Sequence, residues 1–148
     1  MKEADIIAKT PFLGTRESIR KDLTDIGLKK GQTVIVHSSL SALGWVCGGP
    51  IAVVQALMDV LTSDGTLVMP SHSGDLSDPA KWEHPPVPVE WIPVIRETMP
   101  AYHPAYTPTR GMGVIVDTFL KFPGVLRSSH PALSFSAWGK YANEIIDR

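Results

Sequence analysis

The sequence predicts an α/β fold, a mixed sheet flanked by helices, and three observations carry that expectation. Two short β-branched and apolar runs, Thr33-Val34-Ile35-Val36 and Thr66-Leu67-Val68-Met69, read as strands. The segment between them has apolar residues at helical spacing, so strand, helix, strand implies a parallel pair joined by a right-handed crossover. The third is bulk. The chain has 148 residues, 43% hydrophobic and 20% charged. That is ordinary globular usage and enough chain for one domain, residues 1–148, to bury a core without disulfides.

The elements follow in order. Residues 15–28 read as an amphipathic helix, with Ile19, Leu23 and Ile26 on one face, Thr15 as the cap and Gly27 as the stop. Residues 29–32 form a turn. The run at 33–36 reads as a buried strand. Residues 37–49 are a loop, and Pro50 suits the first turn of the next helix because its missing N–H needs no partner there. That helix runs to about residue 61 on Ile51, Val54, Leu57 and Leu61. Ser63-Asp64-Gly65 turns the chain into the strand at 66–69. Residues 71–88 are a long polar loop. Residues 89–99 read as a helix with Trp91, Ile92 and Ile95 together, and residues 100–108 as irregular. Residues 111–121 read as a helix carrying Val114, Ile115, Phe119 and Leu120. Residues 134–138 are a strand, and residues 140–147 begin a last helix.

Charge and composition exclude several classes. The net charge is −1, so no overall positive field draws in nucleic acid. The longest apolar stretch, residues 51–61, is interrupted by Gln55 and Asp59 and is too short to span a membrane. The N-terminus lacks the apolar centre of a signal peptide. Cys47 is the one cysteine, and no Cys/His cluster has metal spacing. The expectation is a soluble cytoplasmic protein without a metal. Its 13 prolines, many between residues 79 and 108, make that region loop-rich.

Chemistry concentrates in residues 37–50, His37-Ser38-Ser39-Leu40-Ser41-Ala42-Leu43-Gly44-Trp45-Val46-Cys47-Gly48-Gly49-Pro50. A loop that leaves a parallel strand and enters a helix offers free N–H groups and the positive end of the helix dipole. Glycines let a ligand approach the backbone, and the hydroxyls of Ser38, Ser39 and Ser41 can donate to phosphate or amide oxygens. The pattern is neither a dinucleotide GxGxxG loop nor a phosphate-binding P-loop, and no serine sits in a nucleophile elbow. On composition alone an anion cradle and a tight turn that needs glycine stand side by side. His37 reads as a ligand contact or as a core histidine satisfied by backbone. Cys47 reads as inert, and His84 and His103, flanked by prolines, as surface residues. Asp75, Asp78, Glu83 and Glu90 interleave with Trp82 and Trp91, which suits a polycationic, sugar-like ligand or simply a solvated loop.

Four ordered stretches carry a resemblance. They are V-H-S-S-L-S-A-L-G-W-V-C-G-G at 36–49, D-G-T-L-V-M-P-S at 64–71, T-P-T-R-G-M-G at 107–113, and R-S-S-H-P followed by S-F-S-A-W-G across 127–139. Together they resemble the aminoglycoside 3-N-acetyltransferase family, antibiotic acetyltransferases that do not use the common GNAT fold. The resemblance implies acetyl transfer from acetyl-coenzyme A to an amine of a 2-deoxystreptamine aminoglycoside, an antibiotic-resistance activity, with direct attack of the amine on the thioester. It implies that His37, Ser38, Ser39, Leu40, Ser41 and Gly44 hold the cofactor's pantetheine and pyrophosphate, that Thr109, Arg110 and Gly111 meet its phosphates, and that His130, Ser134 and Phe135 line its channel. Arg110 suits phosphate by its planar fork and also reads as a surface arginine at a helix start; His130 before a proline also reads as a turn residue. Asp75, Asp78 and Glu83 are the expected substrate carboxylates, and a homodimer is the assembly to test.

The sequence also departs from the family. Members are nearly twice as long, and their general base is a histidine of an H-x-x-E pair in the C-terminal half. No histidine here has glutamate three residues on. The expectation is the N-terminal half of a longer acetyltransferase, an incomplete fold with no catalytic residue of its own. The alternatives are a non-catalytic coenzyme A-binding module and an acetyltransferase for a non-antibiotic amine.

Overall fold

The computed structural model describes residues 2–147. Its centre is a four-stranded sheet in the order β1-β2-β4-β3. The strands are β1 (Thr33–Ile35), β2 (Thr66–Pro70), β3 (Leu126–Arg127) and β4 (Phe135–Gly139). β1 pairs parallel with β2, Val34 opposite Leu67. β2 pairs antiparallel with β4, Val68 opposite Ala137, and β4 antiparallel with β3. The sheet is therefore mixed, as the sequence predicts. The helices are α1 (Glu3–Lys9), α2 (Arg16–Asp25), α3 (Gly49–Leu61), α4 (Ile92–Thr98), α5 (Val114–Phe119) and α6 (Ala142–Ile146).

α3 connects the two parallel strands and forms the middle of the core. Val54, Leu57 and Leu61 face inward, as their spacing predicts, together with Ala52, Val53 and Ala56, whereas Ile51, expected in the same set, is 50% exposed in the first turn of the helix. Leu67 and Met69 of β2 meet them, and Ile115, Val116 and Phe119 of α5 close the cluster from the other side. Strand alternation sends Val68 and Ala137 to the opposite face, where they pack with Ala142 of α6. Each large apolar side chain fully buried this way contributes about 1.5–3 kcal/mol. The two faces are unequal: α3, with α2 and α5 packed against it, lies on one, and α6 on the other.

α2 starts where the capping signal places it. The Thr15 hydroxyl accepts from the Ser18 N–H at 3.0 Å, and the Ser18 hydroxyl reciprocates toward the Thr15 N–H at 2.9 Å. Ile19 and Leu23 pack on the core, but Ile26 is 82% exposed because the helix has ended before it can turn inward. A bidentate ion pair from Arg16 to Asp59, both contacts 2.6 Å, ties α2 to α3.

Several expectations need correction. β1 is not a buried strand: it lies at the sheet edge with β2 as its partner, and Thr33 and Ile35 point outward while Val34 points to the core. A β-branched run reads the same at an edge as at the centre of a sheet. The helix expected at 111–121 is shorter, because Gly111 and Gly113 take φ of +70° and +91°, outside helical geometry. In the 89–99 segment a 3-10 turn over Val89–Trp91 leads into α4, and Trp91 lies off the packed face at 55% exposure. α1 and the two-residue β3 carry no periodic signal and were not expected.

Candidate functional site

The Ser/Gly loop follows β1 and is held by contacts from far upstream. The Trp45 N–H donates to Thr10 Oγ1 at 2.8 Å, and its indole N–H donates to Glu3 at 2.9 Å. The Gly14 N–H donates to the Trp45 carbonyl at 3.1 Å, and the Cys47 N–H to the Gly14 carbonyl at 2.8 Å. Gly44 has φ +77°, and a β-carbon there would lie 2.9 Å from Thr10 Oγ1. α1 and the segment after it thus clamp the loop. A 3-10 turn over Leu40–Leu43 fills its first half, and left-handed Gly48 turns it into α3, with Pro50 in the first turn.

The second wall comes from the other end of the chain. Gly111, Met112, Gly113 and Val114 line a cleft of about 800 Å³ together with Ser38, Ser39, Leu40 and Ser41, with Gly44, Trp45, Gly48 and Gly49, and with Glu3 and Ile6 of α1. Open space lies where β-carbons of Gly49 and Gly111 would project. The Ser38 hydroxyl is buried and has no hydrogen-bond partner. A buried hydroxyl without a partner is costly, and a ligand oxygen or amide reaching it would satisfy it. Ser39 and Ser41 share one hydrogen bond at 3.3 Å and stay exposed. The cleft is lined by glycines and serine hydroxyls together with the apolar side chains of Ile6, Leu40, Trp45, Val46, Met112 and Val114, which suits a ligand with both polar and apolar parts. Among the described residues no three His, Cys, Asp or Glu side chains are grouped to hold a metal ion.

The other candidates fall elsewhere. His37 is exposed and outside the cleft, so its reading as a core histidine gives way. Thr109 turns its hydroxyl to Asp117 of α5. Arg110 forms an ion pair with Asp75, and the two side chains are about half exposed. It lines a smaller depression of about 310 Å³ with Trp82, Glu83 and His84. Asp78 accepts from the Ala80 N–H at 3.1 Å and from Arg96 at 3.0 Å, and these two contacts hold its carboxyl below the usual carboxylate range. His130 accepts from the N–H groups of Ala132 and Leu133 at 3.1 and 2.8 Å, the geometry of a turn residue. Phe135 packs edge-on against His72, 5.4 Å between rings. Ser134 is fully buried, donating to the Ser71 carbonyl at 2.8 Å and accepting from Arg127 at 3.1 Å. The cleft therefore joins Ser38, Ser39, Leu40, Ser41, Gly44 and Gly111, while His130 and Phe135 line a separate depression beside Ile35. Sequence reasoning missed Glu3, Ile6 and Trp45. Trp45 lies inside the Ser/Gly loop, and nothing along the chain marks Glu3 as its partner.

Comparison with known proteins decides the family. The family model for aminoglycoside 3-N-acetyltransferase matches residues 35–148. The chain belongs to the aminoglycoside 3-N-acetyltransferase family. It is 58% identical, over 97% of its length, to the SPbeta prophage-derived aminoglycoside N(3')-acetyltransferase-like protein YokD of Bacillus subtilis (strain 168), and covers 53% of that protein. It is 34% identical over 99% of its length to aminoglycoside N(3)-acetyltransferase IX of Micromonospora chalcea, covering 51%. The crystal structure of YokD superposes with a TM-score of 0.95 at 57% identity, over 98% of this chain and 54% of that one. A binary structure of AAC-IIIb with CoASH superposes with a TM-score of 0.76 at 29% identity, over 91% of this chain and 49% of that one. The chain thus spans about half the length of the family members it matches.

Proposed function

We propose that this chain forms the donor-binding part of an aminoglycoside N(3)-acetyltransferase, with acetyl-coenzyme A in the cleft between the Ser/Gly loop and residues 111–114. The observation that carries it is the buried, unpartnered Ser38 hydroxyl in a cleft whose two glycine-bearing walls come from both halves of the sequence. Family membership and a CoASH complex of a relative with the same fold support the reading. When bound, the cofactor supplies an activated acetyl thioester. The acceptor amine attacks its carbonyl carbon, a C–N bond replaces the C–S bond, the thiolate leaves, and the amine gives up a proton. The serine hydroxyls and loop N–H groups would hold and orient the donor, whereas Arg110 is paired with Asp75 and does not line this cleft. The proton needs a base, and the chain has no H-x-x-E pair to supply it.

The acceptor is proposed to be a 2-deoxystreptamine aminoglycoside. Asp75 and Asp78 are already paired with Arg110 and Arg96, so Glu83 beside Trp82 is the acidic-loop carboxylate best placed for a cationic ring. Isothermal titration of the folded chain with coenzyme A tests the donor site. Saturable one-to-one binding is expected, and absent heat from a protein with a native circular dichroism spectrum counts against it. A thiol-release assay with aminoglycosides is expected to show little or no turnover by this chain; brisk turnover would place the base among residues given no such role here.

A further inference from the structure

Arg127 ends β3 and turns its guanidinium beneath the loops. Nε donates to the Ser134 hydroxyl at 3.1 Å, one terminal nitrogen donates to the Thr107 carbonyl, and the other to the Ser71 carbonyl at 3.0 Å. The Tyr102 ring lies under it, 5.2 Å from Cζ to the ring centre. Among the described residues no carboxylate pairs with it. The side chain is partly buried and its charge is met by carbonyls, a hydroxyl and a ring. Three divergent donors on one rigid plane are what a guanidinium offers and an ammonium does not.

Those acceptors belong to separate segments. Ser71 follows β2, Ser134 precedes β4, and Thr107 begins the stretch that leads to the cleft. Three residues past Thr107, the Arg110 N–H donates to the His72 carbonyl at 2.9 Å. Residues 107 and 110 are therefore both fastened to the Ser71–His72 step, one through Arg127 and one directly. Gly111 follows at once, and Gly113 comes so near the first wall that a β-carbon on it would lie 3.9 Å from the Ser38 carbonyl. Arg127 itself does not line the cleft.

We propose that Arg127 is a positioning residue for the donor site: it fastens the 107–113 segment to the end of β2 and so sets the gap between Gly111–Gly113 and Ser38. The inference rests on the reading of that cleft as the coenzyme A site. Two measurements on this chain test it, using Arg127→Met, Arg127→Lys and, as a control, Ser136→Ala. Ser136 bonds Ser71 Oγ at 2.7 Å and the Met69 carbonyl at 3.1 Å, so its loss loosens the same strands without touching Thr107. In the ligand-free chain, hydrogen exchange at the Arg110 amide should quicken about tenfold or more in both Arg127 variants, with β2–β4 amides unchanged, and should stay as in wild type in Ser136→Ala. Calorimetric affinity for coenzyme A should fall about tenfold in both Arg127 variants and stay within about twofold in Ser136→Ala.

Unchanged Arg110 exchange in Arg127→Met overturns the proposal, as does a uniform rise across all amides, which would mark a general structural brace. If Arg127→Met does not fold, Arg127→Lys decides, and wild-type exchange and affinity in that variant overturn the three-donor account. A wild-type chain that binds no coenzyme A removes the reading of the cleft and not the fastening of the loop, which the exchange arm settles by itself.

Discussion

Ser38 is the residue whose environment asks most plainly for a ligand. Its hydroxyl is buried without a partner, so the free protein gains nothing from it. Ser38→Ala is expected to leave stability within about 0.5 kcal/mol of wild type, or to raise it slightly, while weakening coenzyme A by roughly three- to tenfold, as for one lost hydrogen bond. Chemical denaturation and titration calorimetry on the same samples separate the two effects. Gly139 is the opposite case, a residue needed by the fold alone. It has φ +113°, and a β-carbon there would stand 2.0 Å from the Gly65 carbonyl oxygen, which accepts from the Lys140 N–H at 2.9 Å. The clash is with backbone and cannot be relieved by a rotamer. Gly139→Ala is expected to cost about 4 kcal/mol or more, read as a lower urea midpoint.

At the scale of elements, α3 and α5 connect packing to the cleft. α3 begins at Gly49 and α5 at Val114, and both residues line the cleft. Phe119 is fully buried between α5 and the core, so Phe119→Ala should cost about 3–5 kcal/mol by denaturant unfolding. The join of α2 to α3 has a pH signature. The hydrogen bonds from Arg16, with its charge, hold the Asp59 carboxyl below the usual carboxylate range despite some burial. A carboxyl whose folded value is depressed adds stability above its unfolded value and loses it as pH falls through the folded one. The stability difference between wild type and Asp59→Asn should therefore be fullest above the ordinary carboxylate range, about pH 4, and shrink as pH falls through the depressed folded value. The Arg16 side chain is half exposed, so the difference is small and fades in high salt.

The whole molecule brings together what the sequence holds far apart. Residue 3, residues 38–49 and residues 111–114 meet in one cleft, and Arg127 binds the ends of two strands to the loop that supplies the far wall. The elements were legible because their signals are local: the Thr15 cap, the α3 spacing, Pro50 in a first turn, the runs at 33–36 and 66–69. The Ser/Gly loop and Gly111 were legible as separate motifs. What was not legible was pairing. Asp75 and Arg110 stand 35 positions apart, and the carboxylate is expected at the substrate and, by the resemblance, the arginine at the cofactor, yet they pair with each other. The resemblance sets Ser134 along the cofactor channel, and its side chain is fully buried, bonded to Ser71 and Arg127.

The sequence by itself determined the α/β class, the order of the principal elements and the family, because periodicity, capping and ordered motifs are written along the chain. Only the tertiary structure decided that β1 is an edge strand, that α1 clamps the Ser/Gly loop, and that Ser38 and Gly111 share a cleft while His130 and Phe135 line another depression. The reason is physical. A side chain's exposure and partners depend on which distant segments the core draws together, and no spacing along the chain records that.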